Sequence, residues 1–276
     1  MPVSSVSRML TIAVLAASLS AADVPQPGKL LDQGYRQMYD LHFDQAHQTF
    51  AQYERNYPAD PLGPVSDAAA YLFSELDRLH ILQSELFVNN ERYRSFRRPA
   101  ADPQIKDRFL KDLDRAGHLA ESQLRASPQN ADALFADTLR RGLDADYLAL
   151  IEKRDLAALS EVKAGRAQAQ KLLSIRPDYY DAYLAIGIEN YLLSLKPAPL
   201  RWVLQVAGAE TDKRIGVENL QLTAEKGHYL LPYARLLLAV AALRDGNKVH
   251  ARELLTWLSD QFPDNALYRE ELAKIK

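Results

Sequence analysis

One short pattern recurs along the chain and limits its fold more than any other feature. The stretches AHQTFAQYERNYPAD at 46–60 and ARELLTWLSDQFPDN at 251–265 share an alanine, large apolar residues four and seven positions later, an aromatic residue and a proline. A small residue stands twelve positions before a proline in four places: Ala46 and Pro58, Ala116 and Pro128, Gly165 and Pro177, and Ala251 and Pro263. Apolar residues three and four apart lie on one helix face, and proline ends a helix. The pattern therefore predicts repeated helical hairpins.

The rest of the chain supports an almost purely α-helical protein. Apolar residues recur at helical spacing, β-branched runs are scarce, and Pro, Gly, Asn and Asp separate the periodic segments. A hydrophobic content of 47% is typical of a globular protein and excludes global disorder. A net charge of -2 with mixed signs argues against a nucleic-acid partner.

A second mark identifies the first helix of each hairpin. Tyr183, Ile186, Gly187 and Asn190 follow an aromatic-x2-apolar-small-x2-polar spacing, and Gly34 stands 24 residues before a proline, the offset that this spacing requires. With these positions the sequence resembles the tetratricopeptide repeat family, whose unit is a helix-turn-helix of about 34 residues. The resemblance implies a right-handed α-solenoid in which helical pairs stack side by side.

Five helical pairs account for nearly all of the chain. Their predicted bounds are Pro27 to Pro58, Leu62 to Pro128, Asn130 to Pro177, Asp178 to about His228, and Tyr229 to Pro263. The second and fourth pairs contain inserts, at about 88–104 and 195–212. Residues 264–276 form a polar capping helix, because the last pair of such a stack has an open face.

The first 22 residues have the pattern of a signal peptide. Arg8 precedes the apolar run MLTIAVLAASLS, and the small residues Ala21 and Ala22 follow it. We expect cleavage after Ala22 and a single mature domain over 23–276. The prediction is an exported, periplasmic or cell-envelope protein of a bacterium, although a eukaryotic secretory signal has the same form. No cysteine follows the run, so the protein is not expected to be a lipoprotein.

The family resemblance implies a concave groove that binds a protein or peptide. Its groove positions carry over to an apolar and aromatic set: Tyr35, Met38, Tyr39, Val65, Leu72, Phe73, Leu184, Ile188 and Tyr191. The family's carboxylate-binding asparagine is replaced by Tyr35, Ala69 and Ile188, which argues against a peptide held by its terminal carboxylate. Aromatic stripes at helical spacing are also typical of core packing, and the sequence leaves both interpretations open.

Both inserts carry residues suited to a surface role. Arg92, Arg94, Arg97 and Arg98 interleave with aromatic residues in the first insert, and this predicts contact with an anionic partner or else a solvated loop. Trp202 lies in a short apolar helix of the second insert. That helix would dock a partner or a membrane surface, or it would fold back and fill one end of the groove.

No catalytic motif is present. The six histidines form no helical metal-binding pair, HExxH and GxSxG are absent, and a chain without cysteine has no thiolate chemistry. We therefore predict a non-catalytic scaffold without metal or cofactor that binds a protein or peptide and takes part in envelope assembly. A membrane-surface or lipid-handling protein that uses the second insert, and an enzyme with a dispersed site, are the alternatives.

Overall fold

The computed structural model describes residues 27–81, 99–195 and 208–275, together with Val206. Within these ranges the regular structure is helical and contains no strand, which confirms the all-α prediction. The eleven α-helices are α1 (Pro27–Tyr39), α2 (Phe43–Asn56), α3 (Leu62–Arg78), α4 (Pro103–Ala126), α5 (Ala131–Asp146), α6 (Asp155–Ile175), α7 (Tyr183–Ser194), α8 (Lys213–Lys226), α9 (Leu231–Arg244), α10 (Lys248–Gln261) and α11 (Ala266–Lys274). None of them is long and apolar enough to span a membrane.

Some sequence predictions fall outside the described residues. These are the signal segment at 1–22, the four insert arginines Arg92, Arg94, Arg97 and Arg98, and Trp202. Their proposed roles remain predictions.

The helix ends follow the proline pattern closely. Each of α2, α4, α6 and α10 ends two residues before one of the four prolines Pro58, Pro128, Pro177 and Pro263. Asparagine side chains cap the helices that follow two of these prolines, Pro128 and Pro263, by accepting a free N–H group of the first turn. Asn130 accepts from the N–H of Ala133 at the start of α5, and Asn265 accepts from Leu267 at the start of α11. These local signals explain why the boundaries are readable from the sequence.

The helices pack in sequence order. α1 contacts α2, α3 contacts α4, and the same holds for α5 with α6, α7 with α8, and α9 with α10. Each pair also contacts the next pair, and α11 covers α10. The small residues of the recurring pattern are buried within the pairs, with Ala46 and Ala251 each 0% exposed. Small side chains at these points allow neighbouring helices to approach closely.

The helices of the fourth pair approach each other closely through their backbones. A Cβ atom added at Gly216 of α8 would lie 2.5 Å from the backbone nitrogen of Tyr191 in α7. A Cβ at Gly187 of α7 would lie 3.0 Å from the backbone nitrogen of Leu220 in α8. Two facing glycines therefore set the distance between these helices, and the small position predicted at Gly187 has a packing reason.

The first helix of the third pair continues beyond its α-helical part. Residues Tyr147–Ile151 form a π-helical turn, in which the N–H of Glu152 donates to the carbonyl of Tyr147. Such turns widen the helix and often occur beside functional sites. Here the turn follows directly after Asp146, a residue that faces the interior of the stack.

Buried glutamates fasten the chain where each insert returns to the stack. Glu75 of α3 is 1% exposed, binds Arg78 and accepts the backbone N–H of Asp102, the N-cap residue of α4. Glu189 of α7 is 0% exposed, pairs with Arg166 at 2.8 Å and accepts the N–H of Glu210. Both inserts therefore rejoin the scaffold at defined points.

Candidate functional site

The first helices of all five pairs meet around one cavity, which we call the central cavity. It has a volume of about 70 Å³ and mostly apolar walls. Residues from α1, α3, α5, α7 and α9 supply most of the lining, and α6 adds one side. The lining is Tyr35, Met38, Tyr39, Ala69, Phe73, Phe135, Thr138, Leu139, Gly142, Leu143, Ala145, Asp146, Glu161, Val162, Gly165, Asp181, Leu184, Ala185, Ile188, Leu230 and Tyr233.

The structure brings six of the nine predicted groove residues to this cavity: Tyr35, Met38, Tyr39, Phe73, Leu184 and Ile188. Val65 and Leu72 of α3 are buried in the hydrophobic core and do not line the central cavity. Tyr191 lines a different cavity, described below. All nine except the half-buried Ile188 are buried, and the space left beside six of them is the central cavity of about 70 Å³.

Aromatic contacts between the first and fifth pairs explain this burial. The rings of Tyr35 and Tyr229 stack with centroids 4.9 Å apart, and the hydroxyl of Tyr39 donates to the carbonyl of Tyr229 at 3.0 Å. The ring of Tyr39 also contacts Phe262 at 5.4 Å, and the side-chain amide of Asn265 donates to the carbonyl of Tyr39 at 2.8 Å. The inner face of α1 is thus covered by residues 190 to 226 positions later in the chain.

One end of the central cavity is held by Asp181. Its carboxylate is 4% exposed and accepts backbone N–H groups from His228, Tyr229 and Leu230 at 2.9, 3.2 and 3.0 Å. Burial raises the pKa of this carboxyl, and the three N–H bonds act against that rise. Asp181 therefore fixes the loop that leads into α9.

The other end carries Asp146, which has a simpler environment. Among the described residues its one hydrogen-bond partner is the hydroxyl of Tyr233, at 3.2 Å from Oδ2. Burial raises the pKa of Asp146 to about 7, and the bond from Tyr233 acts against the rise. A carboxyl with one neutral partner in an apolar wall is a group that a cationic or hydrogen-bonding ligand would stabilise.

A larger polar pocket adjoins the Asp181 end, and we call it the tyrosine–aspartate pocket. Its volume is about 470 Å³, and it shares Asp181 with the central cavity. Its lining is Gly28, Leu31, Tyr53, Asp60, Leu62, Asp132, Asp178, Tyr179, Tyr180, Asp181, Lys226, His228 and Tyr229.

The tyrosine–aspartate pocket has a negative character. Burial, reinforced by the charges of surrounding aspartates, raises the pKa of Tyr229 above its usual range; these aspartates are Asp32, Asp181, Asp132 and Asp60. The basic side chains of the lining already have partners, since Lys226 lies 5.2 Å from the ring centroid of Tyr180 and Nε2 of His228 lies 2.7 Å from Oδ1 of Asp32. Aromatic faces beside carboxylates favour a positively charged group.

A third space, the leucine cavity, lies on the far side of Tyr233. Its volume is about 90 Å³ and it shares Tyr233 with the central cavity. Eight leucines form most of its wall. The lining is Leu76, Leu150, Tyr191, Leu192, Leu195, Tyr233, Leu236, Leu237, Ala239, Val240, Leu243, Arg244, Leu255 and Glu271.

The titratable residues outside these cavities form one notable cluster. Nδ1 of His47 lies 2.5 Å from Oδ1 of Asp67, between α2 and α3. Burial, together with the charges of Asp67 and Glu54, raises the pKa of nearby Asp112 to about 7. Within 27–81, 99–195 and 208–275 no group of three or more His, Asp or Glu residues is arranged to hold a metal ion.

The sequence did not single out the residues that distinguish the two ends of the central cavity. Asp181 and Tyr229 lie in connecting segments, and their contacts join elements far apart in the chain. Asp144 and Asp146 are two positions apart, and this spacing puts two side chains on different sides of a helix. The structure agrees, because Asp146 lines the central cavity and Asp144 does not. No local signal marks Asp146 as the residue that faces inward.

Comparison with known proteins adds no identification. No protein-family model and no curated protein matches this sequence.

Proposed function

We propose that this protein is a non-catalytic binding scaffold, built as a TPR-like right-handed α-solenoid of five helical pairs and a capping helix. One observation carries the proposal: the first helices of all five pairs converge on a single apolar cavity. In stacked helical pairs, first helices line the concave side, where partners bind. The signal-like pattern of 1–22 supports export to the periplasm or cell envelope as part of the same proposal.

The partner that fits best is a protein segment with a basic side chain next to an apolar one. The apolar side chain would enter the central cavity, whose half-buried residues Val162, Ala185 and Ile188 lie at its accessible side. The basic side chain would enter the tyrosine–aspartate pocket, where carboxylates and tyrosine faces complement a cation. A segment with this chemistry also agrees with the missing carboxylate-binding positions.

Binding of designed peptides tests the proposal. The probes are three fluorescent peptides of equal length: alternating Lys and Leu, alternating Glu and Leu, and alternating Lys and Ser. We expect anisotropy titrations to give the Lys–Leu peptide at least tenfold higher affinity than either other peptide, because only it offers both chemistries. Equal affinities for the Lys–Leu and Lys–Ser peptides would show that surface charge alone accounts for binding, and this would contradict the proposal.

Two glycine variants assign the binding to its cavities. A Cβ at Gly142, which lines the central cavity, meets no atom within 4 Å, and the same is true of Gly28 in the tyrosine–aspartate pocket. Gly142→Leu and Gly28→Leu therefore fill one cavity each without a clash at the Cβ. Each is expected to lower the affinity for the Lys–Leu peptide. The control is Leu156→Gln, at a residue that is 86% exposed and outside both cavities, and it is expected to leave the affinity unchanged.

A further inference from the structure

The leucine cavity contains an unexplained polar group. Tyr191 is 4% exposed, and its buried hydroxyl has no hydrogen-bond partner among the residues that the structure describes. Burial raises the pKa of this hydroxyl to about 12, so it stays protonated and available as a donor at neutral pH. A buried hydroxyl that makes no hydrogen bond is destabilising, and native structures rarely leave one without a purpose.

The surroundings of Tyr191 are apolar on one side and charged on the other. Leucines of α3, α7, α9 and α10 form the apolar wall. Arg244, at the end of α9, lies in the same lining, and its positive charge acts on the Tyr191 hydroxyl. The nearby carboxylates are paired, Asp245 with Lys213 at 2.5 Å and Glu271 with Lys274 at 2.7 Å.

The π-helical turn contributes to this cavity. Leu150, in the middle of the turn, lines the leucine cavity, whereas Asp146, just before the turn, lines the central cavity. Widening the helix at this point thus directs neighbouring residues to two different spaces. A helix irregularity of this kind, placed between two cavities, is typical of a ligand site.

We propose that the leucine cavity binds a fatty acid, with the alkyl chain between the leucines and the carboxylate accepting a hydrogen bond from Tyr191 beside Arg244. A mainly apolar wall that combines the buried Tyr191 hydroxyl with a neighbouring cation matches an alkyl chain that ends in an anion. The leucine cavity shares Tyr233 with the central cavity and no residue with the tyrosine–aspartate pocket, and Tyr191 lines neither of them, so this proposal stands independently of the peptide-binding proposal.

Calorimetric titration of the full chain with hexanoate, heptanoate and octanoate tests the alkyl part. Each added CH2 group is expected to raise the affinity about fourfold until the cavity is full. Octanol serves as the head-group control and is expected to bind at least tenfold more weakly than octanoate. Octanol binding as tightly as octanoate would overturn the assignment of the carboxylate, and absence of octanoate binding would overturn the site.

Tyr191→Phe tests the hydroxyl, because it removes the oxygen and keeps the ring. We expect octanoate affinity to fall about tenfold while the unliganded protein is at least as stable in urea as the wild type, since the unpaired hydroxyl is gone. Tyr183→Phe is the matched control, because the Tyr183 hydroxyl donates to the carbonyl of Pro177 and lies outside the cavity. Unchanged octanoate affinity in Tyr191→Phe would contradict the proposed contact.

Discussion

The two ends of the central cavity each carry an aspartate, and the two carboxyl groups have very different partners. Asp181 accepts three backbone N–H groups from the loop before α9, whereas Asp146 accepts a single bond from the hydroxyl of Tyr233. Burial raises the pKa of both groups. The comparison shows that Asp181 fixes the backbone of a loop, whereas Asp146 binds one side-chain hydroxyl in the described part of the protein.

The largest effect is expected from Asp181→Ala. The substitution leaves three N–H groups at residues 228–230 without an acceptor, so the free energy of unfolding should fall by about 3–5 kcal/mol. Urea denaturation followed by circular dichroism measures the loss. Asp178→Ala is the control, because Asp178 and its partner Arg176 are both exposed, so the loss of stability should be much smaller than in Asp181→Ala. Similar losses in both variants would refute the structural role of Asp181.

A smaller loss is expected from Gly227→Ala, at the same end. The added Cβ would lie 2.6 Å from the carbonyl oxygen of Thr223 and 2.7 Å from Oδ1 of Asp181. Crowding of this kind should lower the free energy of unfolding by about 2–3 kcal/mol, because the carboxylate must shift from its N–H donors. Thermal and urea unfolding of the variant test this prediction. A stability equal to that of the wild type would show that the loop at residues 227–230 shifts to accommodate the added Cβ at no energetic cost.

Asp146→Asn is expected to stabilise the protein, and only at neutral and higher pH. With a folded pKa of about 7 and an ordinary value of 3.8, the folded protein keeps a proton that the unfolded chain releases between about pH 4 and 7. Raising the pH through this window therefore lowers the stability of the wild type. Asparagine does not titrate, so the variant avoids this loss.

The size of the effect follows from the pKa shift. Each pKa unit corresponds to about 1.4 kcal/mol, and partial exposure of Asp146 reduces the total, so we expect a gain of about 2 kcal/mol at pH 8 and none at pH 4. Urea titrations of wild type and variant from pH 4 to 8 give the two curves. Parallel curves would mean that Asp146 titrates normally and that the two ends of the cavity do not differ.

The smallest effect is expected from Gly142→Ala, beside the Asp146 end. The residue lies within α5, and a Cβ there meets no atom within 4 Å. Alanine should raise the free energy of unfolding by about 0.5–1 kcal/mol, because it costs less backbone entropy than glycine in a helix. Replacing glycine by alanine is thus expected to lower the free energy of unfolding at Gly227 and to raise it at Gly142. A loss of stability in Gly142→Ala would show that the space beside α5 is already filled.

Much of the architecture was readable from the sequence because its signals are local. The proline positions predicted the ends of α2, α4, α6 and α10, and the five pairs and the final helix occur at the expected places. Helix boundaries depend on caps, prolines and apolar periodicity within a few residues. The residues lining the cavities were only partly predicted, since six of the nine proposed groove residues face the central cavity.

The inner face of the stack was decided by contacts between distant residues. Nothing near Tyr35 in the sequence indicates that it stacks on Tyr229, or that Asn265 bonds the backbone of Tyr39. Such contacts depend on how far the successive pairs rotate relative to one another, and small rotations add up along the stack. The buried position of the predicted groove residues is the result.

The sequence by itself determined which segments are helices, where they end and the order in which they pack, because these properties depend on neighbouring residues. Only the tertiary structure decided that the first pair meets the fifth and that Asp181 holds a loop while Asp146 faces a cavity. The same is true of the Tyr191 hydroxyl, which is buried with no partner in the described part of the chain. The environment of a side chain depends on which distant parts of the chain pack around it. Local periodicity in the sequence does not predict these long-range contacts.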